Sequence, residues 1–229
     1  MLFSGVRFWP PVSSALKELQ IQTPTPIQSA AIAPLTAGVS CILHAETGSG
    51  KTLCYLLPLL KRLSSQEGTM DTTPIQAMII VPTKELAVQV AADLNSLTAE
   101  FQRHEEQSLI HLCISTSNRK LDSIKSPILV GTPFKLLDLI KEASYGDRKN
   151  LQALRYIVVD EVDRLLLVPG RYASNDVLKS AKNEPTPTSQ LLELLITSRG
   201  GLEKANIQVS QGLACFVGFR ILLLNRFMA

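Results

Sequence analysis

The sequence predicts an α/β domain in which a mostly parallel sheet lies between two layers of helices, and two observations predict it. Short runs rich in β-branched residues are apolar throughout rather than alternating, which is typical of strands buried on both faces. Helical patterns, with apolar residues three and four positions apart, lie between these runs, and such alternation favours a parallel sheet. The runs occupy residues 39–45, 77–81, 109–114, 128–130 and 156–159, and the helical patterns lie around 12–20, 27–36, 51–63, 85–101, 134–142 and 188–196.

The composition indicates a packed domain and limits the classes of partner. The chain has 229 residues, enough for one α/β domain with or without part of another. Its hydrophobic fraction of 45% supports a core rather than disorder. The formal net charge is only +3, so a nucleic-acid site would have to be a local patch. No apolar run approaches the ~20 residues that span a bilayer, so we expect no membrane partner.

The cysteines and the N-terminal residues indicate in which kind of cellular compartment the protein is expected. The chain has four cysteines, Cys41, Cys54, Cys113 and Cys215. None of them forms a C-x-x-C pair, and the histidines do not complete a zinc pattern. Polar and charged residues interrupt the first stretch early, so no secretory signal is predicted. We therefore expect reduced cysteines and an intracellular protein, without a choice among nucleus, cytoplasm and organelle.

A glycine-rich motif follows the first long apolar run. It reads Ala45-Glu46-Thr47-Gly48-Ser49-Gly50-Lys51-Thr52. The glycines allow a tight turn that directs backbone N–H groups at phosphate oxygens, and the following helix adds its positive N-terminal end. Lys51 is suited to neutralise the β and γ phosphates, and the Thr52 hydroxyl to ligate magnesium. A chance match to five specified positions is on the order of one in ten thousand chains, so the motif predicts a bound nucleoside triphosphate with Mg²⁺.

A second motif, Val158-Val159-Asp160-Glu161, ends the last predicted strand. The glycine-rich phosphate-binding motif is known as a P-loop, and P-loop enzymes need an acid at this second position. Here Asp160 can hold magnesium through water, and Glu161 can orient the attacking water. An acidic pair after a strand can also be an ordinary surface loop, but the phosphate-binding motif upstream favours a catalytic role. The candidate catalytic residues are therefore Lys51, Asp160 and Glu161, and the candidate magnesium ligands are Thr52 and Asp160.

Four motifs resemble those of the DEAD-box RNA helicases and occur in the same order along the chain as in that family. Asp160-Glu161-Val162-Asp163 is similar to the family's Asp-Glu-Ala-Asp box, with valine for alanine. Thr23-Pro24-Thr25-Pro26-Ile27-Gln28 resembles the Q motif, and Phe3 stands where the family has an upstream aromatic residue. Pro82-Thr83-Lys84-Glu85-Leu86-Ala87 resembles motif Ia, with lysine for the usual arginine. Gly131-Thr132-Pro133-Phe134-Lys135 resembles motif Ib, with its last two residues substituted.

The resemblance implies a RecA-like P-loop fold and a division of the chain. It covers about residues 3–209, so a helicase ATP-binding domain is expected over 1–209 and a divergent tail over 210–229. Within the domain, the Q motif spans 3–28, the P-loop 45–52 and the acidic box 160–163. The family's Ser-Ala-Thr motif is expected after Val209, where the chain reads Ser210-Gln211-Gly212. The apolar run 213–219 is either a replacement strand or the product of a retained intron or shifted reading frame.

The resemblance also implies ATP as the nucleotide and assigns residues to it. Gln28 would hydrogen-bond the adenine edge, and Thr23 would help form the base pocket. Ile21 stands in place of the aromatic residue that stacks on the base, where an aliphatic side chain still packs. The phosphates would be bound by the P-loop residues Thr47, Gly48, Ser49, Gly50, Lys51 and Thr52.

A further set of residues would contact the RNA backbone: Thr83, Lys84, Thr132 and Lys135. Each threonine follows a predicted strand and opens a helical pattern, as N-caps do. Helix N-termini with a nearby lysine are natural phosphate sites, although simple helix caps would leave the same pattern. Backbone contacts of this kind give little base specificity. Phe134 replaces a glycine of the family and places a bulky side chain where RNA would approach closely.

The function that the resemblance implies is an ATP-dependent RNA helicase, with RNA and ribonucleoprotein components as partners. Motifs of the family's second RecA-like domain, which supplies arginines that stabilise the transferring phosphoryl group, are not recognised in this sequence. The alternative is therefore a non-catalytic fragment that binds nucleotide and RNA, and we expect little activity from this chain by itself. A GTPase is disfavoured, because we find no Asn-Lys-x-Asp sequence for guanine.

Overall fold

The computed structural model describes residues 2–46, 48–64, 75–102, 108–115, 120–143, 151–166, 185–197 and 208–212. Its strands are β1 (Leu2–Phe3), β2 (Val6–Arg7), β3 (Cys41–Leu43), β4 (Ala77–Ile80), β5 (Ile110–Cys113), β6 (Ile128–Gly131), β7 (Tyr156–Asp160) and β8 (Gln208–Gly212). Its helices are α1 (Pro10–Glu18), α2 (Pro26–Thr36), α3 (Lys51–Leu63), α4 (Lys84–Gln102), α5 (Pro133–Glu142), α6 (Val162–Leu165) and α7 (Pro187–Thr197), with a 3₁₀ turn at Leu121–Ser123.

Six of the strands form one sheet in the order β3-β8-β7-β4-β6-β5, and every pairing within it is parallel. The first two strands form a separate antiparallel hairpin. All six carboxyl ends therefore lie at one edge of the sheet, where ligands of open α/β sheets bind. The predicted α/β class with a mostly parallel sheet is confirmed. In the described part of the chain, no helix is both long and apolar enough to cross a membrane.

The core has two halves, one on each face of the sheet. Strand β4 contributes to both halves: Ala77 and Ile79 belong to the cluster shared with α1, α3 and α4, and Met78 and Ile80 to the cluster shared with α5 and α7. This division follows from the strand itself, since successive side chains point to opposite faces. Phe3 is buried in the first half, so its ring is part of the core. The result is the expected three-layer arrangement.

Strand β8 crosses the domain boundary that the sequence suggests between residues 209 and 210. Its backbone lies between two neighbours, with Val209 opposite Ile157 of β7 and Gly212 opposite both Asp160 and Leu43. The first residues of the predicted tail thus belong to the sheet. Residues 213–229, with the apolar run 213–219 and Cys215, lie outside the described residues, and the division into 1–209 and 210–229 stays a prediction.

Candidate active site

The topology of the sheet brings the phosphate-binding motif and the acidic motif to the same edge of the sheet. The P-loop follows β3 and the acidic box follows β7, with β8 between them. Leu43, Gly212 and Asp160 lie in register across these three strands. Two strand spacings separate β3 from β7, which places the backbones of Leu43 and Asp160 about 10 Å apart. That separation leaves room for phosphate groups between the loop and the carboxylates.

The P-loop owes its shape to its glycines. Gly48 has φ +81° and Gly50 has φ +88°, in the left-handed region that favours glycine. Gly50 is also the residue before α3, and a side chain there would collide with the amide of Gln28. Thr47, which the sequence assigns to phosphate binding, lies outside the described residues. The described part of the loop ends at a helix N-terminus, the arrangement that binds phosphate in many proteins.

Lys51 lies inside its own loop and is only 8% exposed. Its Nζ atom donates to the backbone oxygen of Ala45 at 2.6 Å and to that of Glu46, and it lies 3.4 Å from Ser49 Oγ. Burial lowers the pKa of the Lys51 ammonium, and the nearby carboxylate of Asp160 is the largest effect opposing that shift. The loop therefore holds a cation at its centre, with acceptors that a phosphate group could replace.

The acidic box presents two differently placed carboxylates. Asp160 is 7% exposed, and burial raises the pKa of its carboxyl group, while hydrogen bonds from the Tyr55 hydroxyl and the Glu161 N–H oppose that shift. Glu161 has φ +51°, an uncommon conformation for a residue other than glycine. Its Oε2 atom lies 3.1 Å from Nη1 of Arg164. Asp163, the last residue of the box, is exposed.

Two side chains of the Q motif form hydrogen bonds to the P-loop. Thr25 caps α2, and its Oγ1 donates to the backbone oxygen of Ser49 at 2.8 Å. Gln28 is almost fully buried; its Nε2 donates to the backbone oxygen of Gly50 at 3.1 Å, and its Oε1 accepts from the Thr25 N–H at 3.0 Å. Gln28 thus contacts the loop directly; it is not among the residues that line the cleft described below, and its contact with the base stays a prediction.

Thr25 was not among the residues that the sequence analysis assigned to the site. Thr23, which was assigned to the base pocket, is exposed, whereas Thr25 makes the contact to the loop. A local signal could have identified Thr25, because Thr25-Pro26-Ile27-Gln28 has the spacing of a capping box, and the box is present. Its second partner, Ser49, is 24 residues away and could be found only from the fold.

One cleft, with a volume of about 500 Å³, is lined by residues of both the P-loop and the acidic box. Such a volume is typical of a small-molecule site. Ile21, in the position assigned to the base, lies in its wall. The other candidate residues that line the cleft are Gly48, Gly50, Lys51, Thr52, Asp160 and Glu161. The hydroxyl of Thr52 and the carboxylate of Asp160 are hard oxygen donors of the kind that Mg²⁺ prefers, so the donor set fits a magnesium ion bound with phosphate.

The residues assigned to RNA lie farther along the same edge. Strands β4 and β6 are neighbours, and the Val81 N–H donates to the Gly131 oxygen at 3.1 Å just before α4 and α5 begin. The side chain of Thr83 caps α4 by accepting from the Leu86 N–H at 3.2 Å. Thr132 occupies the corresponding position before α5 without a side-chain cap. The structure therefore places both helix N-termini side by side.

The two lysines of this region differ in their surroundings. Lys84 is exposed at the first position of α4. Lys135 Nζ lies 3.6 Å from Oδ2 of Asp138, one helical turn away on α5. Phe134, which precedes Lys135 in the sequence, is 63% exposed. The region offers positive charge and two helix N-termini, with an aromatic ring on its surface.

Comparison with known proteins identifies the family. The DEAD/DEAH box helicase family model matches residues 25–196. The ATP-dependent RNA helicase dbp8 of Schizosaccharomyces pombe is 35% identical over 165 residues, which are 72% of this chain and 35% of that protein. The mitochondrial DEAD-box ATP-dependent RNA helicase 47 of Arabidopsis thaliana is 34% identical, over 66% of this chain and 28% of that protein. The chain thus spans about a third of the length of these relatives.

Solved structures share the fold. A DEAD box protein from Methanococcus jannaschii has a TM-score of 0.65 and 22% identity, over 99% of this chain and 53% of that one. Dbp5 of Saccharomyces cerevisiae, bound to RNA and ADP BeF3, has a TM-score of 0.63 and 21% identity, over 96% of this chain and 47% of that one. The family model covers most of the sequence, and the fold is RecA-like. The chain belongs to the DEAD/DEAH box helicase family.

Proposed function

We propose that this chain is the ATP-binding domain of an ATP-dependent RNA helicase. One observation carries the proposal: the P-loop and the acidic box line a single cleft, in a chain whose relatives are named as ATP-dependent RNA helicases. Family membership implies nucleotide binding. The choice of ATP, the magnesium ion and the RNA substrate are the finer parts of the proposal.

The residues of the cleft divide the chemistry of phosphoryl transfer among them. Lys51 and the N-terminal end of α3 neutralise the phosphates, with the lysine leaving its loop acceptors to do so. Thr52 and Asp160 would hold magnesium, which supplies charge neutralisation to the phosphates when it is bound. Glu161, in the wall of the cleft, would orient the attacking water.

The choice of ATP depends on Gln28. A glutamine amide has two N–H donors and a carbonyl oxygen with two lone pairs. One donor is used on Gly50 and one lone pair on the Thr25 N–H, so one of each remains for the N7 and N6 positions of adenine. Guanine presents an acceptor where adenine presents the N6 donor, so the same amide would disfavour it.

We expect Gln28→Glu to weaken ATP binding and to keep the preference for ATP over GTP, because the carboxylate still accepts from adenine N6 and still opposes guanine O6. A carboxylate keeps the contact to the Thr25 N–H but cannot donate to Gly50 or to adenine N7, and leaving one buried partner unpaired costs about 1–3 kcal/mol. Competition of ATP and GTP against a fluorescent nucleotide measures both effects. Gln22→Glu makes the same change at an exposed position and serves as the control. An unchanged ATP affinity in Gln28→Glu would contradict the assignment.

The RNA site is proposed at the N-termini of α4 and α5. Thr83 and Thr132 begin neighbouring helices, and Lys84 and Lys135 add positive charge beside them. Hydroxyl groups, lysines and helix N-termini are typical ligands of the phosphates and sugars of RNA, and such contacts carry no sequence information. Proteins of ribonucleoprotein particles are proposed as further partners, because RNA in cells carries bound proteins.

Changing Lys84 and Lys135 together to alanine should weaken binding to single-stranded RNA of any sequence to a similar extent. Each phosphate contact on a single strand contributes about 0.7 to the slope of log affinity against log salt, so the slope should fall by about 1.4. Fluorescence anisotropy with labelled oligonucleotides at several salt concentrations measures this. Lys141→Ala, at the far end of α5, is the matched control. If the double variant and the control have the same slope, these lysines do not contact RNA.

The alternative proposal is a non-catalytic fragment that binds nucleotide and RNA. The two proposals differ in one observable, the ATP-dependent separation of a short RNA duplex. Clear strand separation by this chain would support the helicase; binding of ATP and RNA without strand separation or turnover would support the fragment. An intracellular compartment is also proposed, supported by free thiols at Cys41, Cys54 and Cys113.

A further inference from the structure

A buried hydroxyl group is hydrogen-bonded to the carboxylate assigned to magnesium. Tyr55, which is 2% exposed, donates from its hydroxyl to Oδ2 of Asp160 at 2.9 Å. The other oxygen, Oδ1, accepts from the Glu161 N–H at 3.0 Å. Each oxygen of the carboxylate is therefore held by one protein donor, which fixes the plane of the group.

The location of Tyr55 connects this carboxylate to the phosphate-binding helix. Tyr55 lies on α3 one turn after Lys51 and Thr52, so the three side chains lie on neighbouring parts of the same helical surface. Asp160 ends β7, 105 residues away. The hydrogen bond thus sets the position of a sheet residue relative to the helix that would bind the phosphates.

Two observations favour a role beyond filling the core. A buried tyrosine needs a hydrogen-bond partner, and a backbone carbonyl would satisfy it equally well, yet the partner here is a carboxylate in the wall of the cleft. An ionised carboxylate has about four lone-pair sites, and two hydrogen bonds leave acceptor capacity for the water shell of a metal ion. The contact therefore orients Asp160 without occupying it fully.

We propose that Tyr55 is a positioning residue whose hydroxyl holds the Asp160 carboxylate in the orientation required by a hydrated magnesium ion beside the nucleotide phosphates. The inference rests on the proposed function, since it assumes a nucleotide with magnesium in the cleft. Removing a residue that hydrogen-bonds to a metal ligand commonly lowers metal affinity by about 10–100-fold. Tyr55 would act at that level, through Asp160 and not on the nucleotide itself.

The test is Tyr55→Phe, which removes the hydroxyl and keeps the ring. Binding of N-methylanthraniloyl-ADP to the purified chain is measured by fluorescence over a range of magnesium concentrations and in EDTA. We expect the magnesium concentration that gives half of the metal-dependent binding to rise about tenfold, with no change in the affinity in EDTA. A purely structural role would change both. Tyr156→Phe removes another hydroxyl packed against the same core cluster and should change neither.

A double-mutant cycle keeps the inference testable if the variant is less stable. In an Asp160→Asn background, adding Tyr55→Phe should cause little further loss of magnesium dependence, because the carboxylate that the hydroxyl orients is gone. An unchanged magnesium midpoint in Tyr55→Phe, or independent losses in the cycle, would overturn the role of Tyr55 alone. Absence of magnesium-dependent nucleotide binding in the unaltered chain would instead overturn the proposed function, and this inference with it.

Discussion

Replacing Lys51 by alanine is expected to abolish nucleotide binding. The ammonium group lies at the centre of the P-loop, where charge-assisted hydrogen bonds to the β and γ phosphates are worth about 1.5–3 kcal/mol each. Losing two of them lowers the affinity about a hundredfold or more. Isothermal titration calorimetry with ATP and magnesium measures the loss directly.

The control for this variant is Lys61→Ala, which removes the same charge near the other end of α3. Both variants should have similar thermal unfolding temperatures, because the truncation at position 51 leaves loop carbonyl groups that water can reach. Affinity that is unchanged in Lys51→Ala would refute the assignment of the loop to phosphate binding.

Replacing Glu161 by glutamine is expected to remove the residual ATP turnover of this chain and to leave nucleotide binding intact. Glutamine has the same shape but is a poor proton acceptor, and the loss of a positioned base or water-orienting group slows such reactions about a hundredfold or more. Phosphate release with saturating ATP measures the rate, and calorimetry measures the binding. Glu161 forms an ion pair with Arg164, so the change also removes that ion pair.

Two further variants separate these effects. Glu142→Gln makes the same charge change at an exposed position near the end of α5 and should leave turnover unaltered. Arg164→Gln removes the ion pair and keeps Glu161, so a similar loss of turnover in that variant would indicate that the pair, and not the carboxylate, is needed. Turnover that persists in Glu161→Gln would exclude the proposed role.

Local patterns were sufficient to predict most of the secondary structure. The helical pattern over 51–63 coincides with α3, and the pattern over 85–101 lies within α4. The strand predicted over 39–45 is shorter in the structure, where β3 spans Cys41–Leu43. The apolar run extends past the strand at both ends, and Val39 and Ile42 are exposed, so apolar character here marked neither burial nor the extent of pairing with β8.

The features that the sequence did not reveal depend on contacts between distant residues. The bond from Tyr55 to Asp160 joins residues 105 positions apart, and no local pattern encodes it. The conformation of Glu161 is similarly hidden, since a positive φ at a residue other than glycine is imposed by its surroundings. The pairing of β8 across the predicted boundary also required the fold, because Ser210 and Gln211 carry no strong strand signal in isolation.

The contacts of Lys51 have a consequence for the time course of binding. An ammonium group has three N–H donors, and the loop supplies three acceptors for them, on Ala45, Glu46 and Ser49. A phosphate group can be engaged only after some of these bonds open, so capture of the nucleotide has a conformational step as well as an encounter step. In stopped-flow mixing, the observed rate should therefore level off at high nucleotide concentration, at a value set by the opening of the loop.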